Sequence, residues 1–156
     1  MWDLCLVEKH ARNIPYVVPI KSCPRDALKL FYKLLRRYRS VTKVGFGLKI
    51  NDLPNHYAHK ARVKRWEKQF WDHEISPGVF RAPIDTTFAL YRAGTEFGFA
   101  ALRTGAPYVA RHLPWYMDSM RPSREEKFYR AHLRRDVSNW NQVTLPSWLV
   151  ALIDKQ

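Results

Sequence analysis

Residues 82–92 read Ala-Pro-Ile-Asp-Thr-Thr-Phe-Ala-Leu-Tyr-Arg, and their spacing admits little besides a strand. Ile84, Thr86, Phe88 and Leu90 alternate with Asp85, Thr87, Ala89 and Tyr91, the period of two expected of a strand with one buried face. Pro83 stands at the entrance, so Asp85 and Thr87 fall where the strand emerges from a loop. A carboxylate flanked by two hydroxyls can accept hydrogen bonds from a sugar or take a proton as a base. The competing reading is local: an Asp in such a place commonly bonds nearby backbone N–H groups and shapes the turn.

Around this strand the pattern interleaves helices and strands. Tyr16, Val17 and Val18 read as a short buried strand stopped by Pro19. Ser22-Cys23-Pro24 opens a helix, since proline's missing N–H would be unpaired in a first turn anyway. Leu28, Phe31, Leu35 and Tyr38 follow at helical spacing, widened by Ala27 and Leu34, with Lys29, Lys33, Arg36, Arg37 and Arg39 on the other faces. Residues 43–50 form a strand carrying Gly45 and Gly47, which mark close approach by another backbone or a ligand. This Gly-x-Gly lacks the third glycine and following helix of a dinucleotide fingerprint. After a turn at 51–55, residues 58–75 read as a helix with Val63, Trp66, Phe70 and Trp71 on one side and a strongly basic opposite surface. His56 and His59 at its entry read as structural or solvated, because a metal site needs more ligands.

Ser76-Pro77-Gly78 turns into residues 79–81, and 99–103 make a further short strand. Residues 105–116 read as an aromatic-rich loop broken by Pro107 and Pro114. It serves either as a binding wall or as a cover over the core, with Trp115 and Tyr116 as plugs. Ser123 and Glu126 have capping-box spacing for a helix reaching about Arg135, and 146–153 read as a terminal apolar helix. The expected class is α/β or α+β, a mixed sheet flanked by helices in a single domain over residues 1–156.

Charge narrows the partners without choosing one. Lys+Arg 27 against Asp+Glu 14 gives a net +13, so a polyanion is attracted: nucleic acid, anionic lipid or a phosphate-bearing substrate. The two cysteines, Cys5 and Cys23, show no CxxC spacing, which points to a reducing compartment. The N-terminus lacks the basic start and apolar run of a signal peptide. No run approaches the roughly 18 apolar residues of a membrane span. The expectation is a soluble, cytoplasmic protein, one that can rest on the inner membrane face.

Several motifs, taken in order, resemble a bacterial group of glycosyltransferase family 2-like proteins. They are Cys23-Pro24, the 43–50 strand, Asp52-Leu53-Pro54 with His56-Tyr57, Trp66-Glu67 with Phe70-Trp71, residues 82–92 and 111–116, and Ser138-Asn139-Trp140. The resemblance spans about residues 16–141 and implies a nucleotide-diphospho-sugar (GT-A) type of fold. It implies transfer of a sugar from a nucleotide-sugar donor to an acceptor, usually helped by a divalent cation, Mg²⁺ or Mn²⁺. On that basis Asp85 is the candidate base, and Thr86 and Thr87 are candidate sugar contacts. Arg111 is a candidate diphosphate contact, His112 a candidate metal ligand, and Trp115 and Tyr116 candidate stacking rings.

Two departures qualify what is implied. The donor-side nucleotide-binding half of such proteins is almost wholly missing, and Pro19-Ile20-Lys21-Ser22 stands where they carry an Asp-x-Asp segment. Hard cations want oxygen ligands, and Lys21 puts a positive charge there instead. The expectation is therefore an acceptor-side half, incomplete or needing a partner chain. Two other readings compete with it. One is a basic nucleic-acid-binding module using aromatic stacking. The other is an inactive scaffold whose exposed sheet edge favours a homo-oligomer or partner chain.

Overall fold

The computed structural model describes residues 17–84, 88–95, 98–118, 121–132 and 147–154. The strand Lys43–Leu48 (β2) is buried at every position, which requires cover on both faces of its sheet. Phe46 meets Phe31 of the helix Ala27–Arg37 (α1) edge-on at 4.8 Å between ring centroids, and Val44 and Leu48 join the same core. Lys43, Gly45 and Gly47 point the other way, as alternation demands. On that side Gly47 lies against Trp71 of the 3₁₀ turn Gln69–Trp71, which continues the helix Lys60–Lys68 (α2).

Six strands form one mixed sheet. Besides Val17–Pro19 (β1) and β2 they are Glu74–Ser76 (β3), Val79–Arg81 (β4), Ala89–Tyr91 (β5) and Ala101–His112 (β6). The order is β3-β4-β6-β2-β5, and β1 pairs with β6 off this path. Only β2 and β6 run parallel; the other described pairs are antiparallel. The α/β expectation with a mixed sheet holds.

β6 is the axis of the arrangement, and it corrects the reading of residues 105–116 as a loop. Its first half pairs with β4, Val79 opposite Thr104, and its second half pairs with β1, Val17 opposite His112. Against β2, Phe46 faces Thr104 and Gly47 faces Val109, so residues 105–108 bulge out between two paired stretches. The proline in the middle, Pro107, sits in that bulge, where no ladder hydrogen bond is required of it.

The alternation of 82–92 also needs correction. The described strand is only Ala89–Tyr91, and both Ala89 and Leu90 are buried. Ile84 reaches the α2 face beside Gly45, whereas Phe88 lies on the α1 face, 5.9 Å from the Phe46 ring. With helices on both faces, consecutive residues of a strand are buried and a single apolar face has no meaning. The helix expected over 58–75 stops at Lys68, because Glu74–Ser76 is needed as an edge strand on β4. In α1 the buried residues are Ala27, Phe31, Leu34 and Leu35, while Leu28 is exposed. The last described helices are Arg124–His132 (α3) and Ser147–Asp154 (α4), the latter matching the terminal helix expected over 146–153.

Candidate functional site

Asp85, Thr86 and Thr87 lie outside the described residues; the chain leading into them is described in detail. Two buried cations hold its backbone. Lys43, 1% exposed, donates from Nζ to the carbonyl of Ile84 at 2.5 Å and lies 5.6 Å from the Tyr91 ring centroid. Arg103 donates from Nε to the carbonyl of Pro83 at 2.8 Å and from Nη1 to Glu67 Oε2 at 2.9 Å. Its guanidinium stacks 4.0 Å from the Phe70 ring centroid. A buried charge is tolerated when it is paired and fully hydrogen-bonded, and these two are used as backbone clamps. Part of the net positive charge is therefore internal, which a reading of composition cannot separate from surface charge.

The two glycines of β2 make room on this same face. A Cβ on Gly45 would stand 2.8 Å from the carbonyl oxygen of Phe88, and one on Gly47 would stand 2.6 Å from that of Thr104 and 2.6 Å from the Trp71 ring. Of the two meanings open for them, close approach by neighbouring backbone is the one observed.

On the opposite, α1 face a cavity of about 280 Å³ opens. Its lining brings together the connection from β1 into α1, through Pro19, Ile20, Cys23 and Pro24, with Phe46 and Phe88 from the sheet. Arg25 and Leu28 stand there too. Two segments far apart in the chain thus share one concavity: residues 19–25, and the one following Asp85, Thr86 and Thr87. The Cys23 thiol is raised above its ordinary pKa by burial and then by the Asp26 charge.

The remaining candidates gather elsewhere, at the ends of β2 and β6. Ligands of open α/β sheets usually bind at the carboxyl ends of parallel strands, and these two strands are parallel. Arg111 donates from Nε to Asp52 Oδ2 at 3.2 Å and from Nη2 to the same oxygen at 2.5 Å. The Tyr116 hydroxyl is 2.6 Å from Asp52 Oδ1 and 3.0 Å from the Lys49 carbonyl, and Lys49 Nζ is 3.6 Å from Asp52 Oδ2. Burial alone would raise the Asp52 carboxyl, but the hydrogen bonds from Tyr116 and Arg111 and the charges of Arg111 and Lys49 hold it below the usual range. Tyr116 is pushed up by burial and by its bond to Asp52, and Arg111 is raised chiefly by its own bond to Asp52.

The 3₁₀ turn Leu113–Tyr116 ends this corner. Trp115 is buried in the main core with its ring 4.7 Å from that of His112, so it covers the core and offers no open stacking face. The buried indole N–H of Trp115 makes no hydrogen bond among the described residues. Of the two readings of residues 105–116, binding wall or core cover, Trp115 follows the second; Arg111 and Tyr116 belong to a carboxylate-centred cluster, and none of Arg111, His112, Trp115 and Tyr116 lines the cavity.

Asp52, Lys43, Arg103 and Glu67 carry these arrangements, and no site role was assigned to them from sequence. Lys43, Asp52 and Glu67 fall inside motifs quoted for the resemblance, and Arg103 falls in none of them. For a divalent cation the fit is poor: among the described residues no group of three or more His, Cys, Asp or Glu could hold one, and the Asp52 carboxylate is already engaged by Arg111. Also among the described residues, no helix is long and apolar enough to cross a membrane. Compared with known proteins, the chain matches no family model, no curated protein and no solved structure.

Proposed function

We infer that the chain is the acceptor-side part of a glycosyltransferase-like enzyme, working in the cytoplasm on a nucleotide-sugar donor and completed by a partner chain or a second copy. One observation carries this reading: the β1–α1 connection and Phe88, next to Thr87, line one 280 Å³ cavity. That volume suits a single sugar ring or base and lies just below the roughly 300 Å³ at which small-molecule sites begin.

In this reading Asp85 takes the proton from the attacking acceptor hydroxyl, and Thr86 and Thr87 orient the sugar by hydrogen bonds. Lys43 and Arg103 are positioning residues, since they fix the carbonyls of Ile84 and Pro83 just ahead of Asp85. Arg25 and Lys21, both exposed on the β1–α1 connection, supply positive charge for a diphosphate where an acidic segment would otherwise recruit a cation. Arg111 and Tyr116 act at a distance from the cavity by bracing the ends of β2 and β6 through Asp52.

Calorimetry of the purified chain with UDP-, GDP- and CMP-sugars, with and without Mn²⁺, tests the reading. Saturable binding weakened by Arg25→Gln is expected. A folded chain that binds none of the three, alone or with a candidate partner, would remove it.

A further inference from the structure

The outer surface of α1 has a composition that core packing does not explain. The helix carries Lys29, Lys33, Arg36 and Arg37, all exposed, and no acidic residue. Arg25 precedes it and Arg39 follows it, both exposed. Asp26, just ahead of the helix, already accepts a hydrogen bond from the Tyr108 hydroxyl at 2.9 Å. Along one flank of this basic strip run Leu28, 45% exposed, and Tyr32, 37% exposed, one turn apart. Leu28 lines the cavity together with Phe88, 41% exposed, and Arg25.

A helix that only covers a core turns its large apolar side chains inward and its charges outward. Here large apolar groups stand outward beside unbalanced cations, the combination found in elements that lie in a lipid–water interface. We propose that this face docks on an anionic lipid surface. Leu28, Tyr32 and Phe88 enter the headgroup–acyl boundary, and Arg25, Lys29, Lys33 and Arg36 meet the headgroup phosphates. The cations of α2 cannot join the same contact, because α2 covers the other face of the sheet. Leucine has no ring to stack on a base and gains nothing from a phosphate backbone, which favours lipid over nucleic acid as the occupant. The proposal does not depend on sugar transfer and stands if that reading fails.

Co-sedimentation of the whole chain with phosphatidylcholine vesicles, with and without phosphatidylglycerol, tests it. Binding is expected only with the anionic lipid. Lys29→Gln with Lys33→Gln is expected to weaken it about twenty- to thirtyfold at low salt, near fivefold per charge. The charge-matched pair Lys64→Gln with Lys68→Gln on α2 leaves it nearly unchanged. Leu28→Gln with Tyr32→Gln, which alters no charge, weakens it several-fold and abolishes the part that survives high salt. All these side chains are exposed, and a thermal melt confirms that each variant folds. No binding to anionic vesicles, equal losses from the two lysine pairs, or no effect of the apolar pair would each overturn the proposal. So would a tighter, α1-dependent hold on an oligonucleotide than on the vesicles.

Discussion

Arg103 and Glu67 form an ion pair at 2.9 Å with side chains only 2% and 5% exposed, linking β6 to α2 through the interior. The pair also fixes the guanidinium whose Nε holds the Pro83 carbonyl. Its removal is therefore felt both in stability and in the segment that follows.

Glu67→Ala is expected to destabilise the fold by about 3–5 kcal/mol, because it takes a carboxylate away from a buried guanidinium. Glu67→Leu combined with Arg103→Met should recover much of that loss, since two apolar groups need no pairing. Urea unfolding of the two variants measures this. A single-variant loss well under 1 kcal/mol would mean that water reaches the pair.

Gly47→Ala tests the close approach on the same face. The new methyl would meet the Thr104 carbonyl as well as Trp71, so a cost of about 1–3 kcal/mol is expected. Trimming Trp71 to leucine should not rescue it, because the backbone contact remains. Full rescue by Trp71→Leu would show that β2 and β6 can separate locally.

The Asp52 cluster predicts a pH profile with two limbs. The Asp52 carboxyl is held low, so its contribution is complete above the unfolded value of about 3.9 and is lost as pH falls through the folded value. Tyr116 is held high, so its contribution is complete below about pH 10 and is lost as pH rises toward the folded value. Asp52→Asn should flatten the acid limb of stability against pH, and Tyr116→Phe should soften the alkaline one. Tyr57, raised by burial, keeps part of the alkaline slope in that variant. Chemical denaturation across pH checks both, and an acid limb unchanged in Asp52→Asn would assign it to other carboxylates.

Cys23 reports on the cavity. Its thiol is raised and the thiolate is the reactive form, so alkylation at neutral pH should be slower than for a free cysteine. In a Cys5→Ser background, Asp26→Asn should quicken labelling, though only in part, because burial is the larger cause. Any molecule that fills the cavity should slow it. Labelling as fast as in a short peptide would mean that the β1–α1 connection does not hold its place.

The sheet class, α1, β2 and α4 were legible because each rests on local spacing of apolar residues. The limits of β5 and β6 were not, because they depend on which strand each one meets. Residues 105–108 look like a loop in sequence, but they are a bulge within β6, and pairing with β2 resumes at Val109 opposite Gly47. Leu28 fits the apolar stripe by spacing, yet it faces outward, because Ala27 and Leu34 take the inward positions. In the candidate site, Arg111 and Tyr116 stand out by their chemistry, while Asp52, which joins them, sits in a turn and an Asp52-Leu53-Pro54 motif that give it no role. Lys43 and Arg103 were hidden most completely, because buried cations are rare and nothing local marks them.

The divided pairing of β6 has a consequence for how the protein is made. β1 leaves the ribosome early, but its partner is the last stretch of β6, and Val17 finds its place only against His112. β4 can settle against Thr104 sooner, and β2 lies between the two events. During synthesis the chain therefore carries an unpaired β1, together with the cavity wall it leads into, until His112 has emerged. A pause in synthesis before His112 would lengthen that interval.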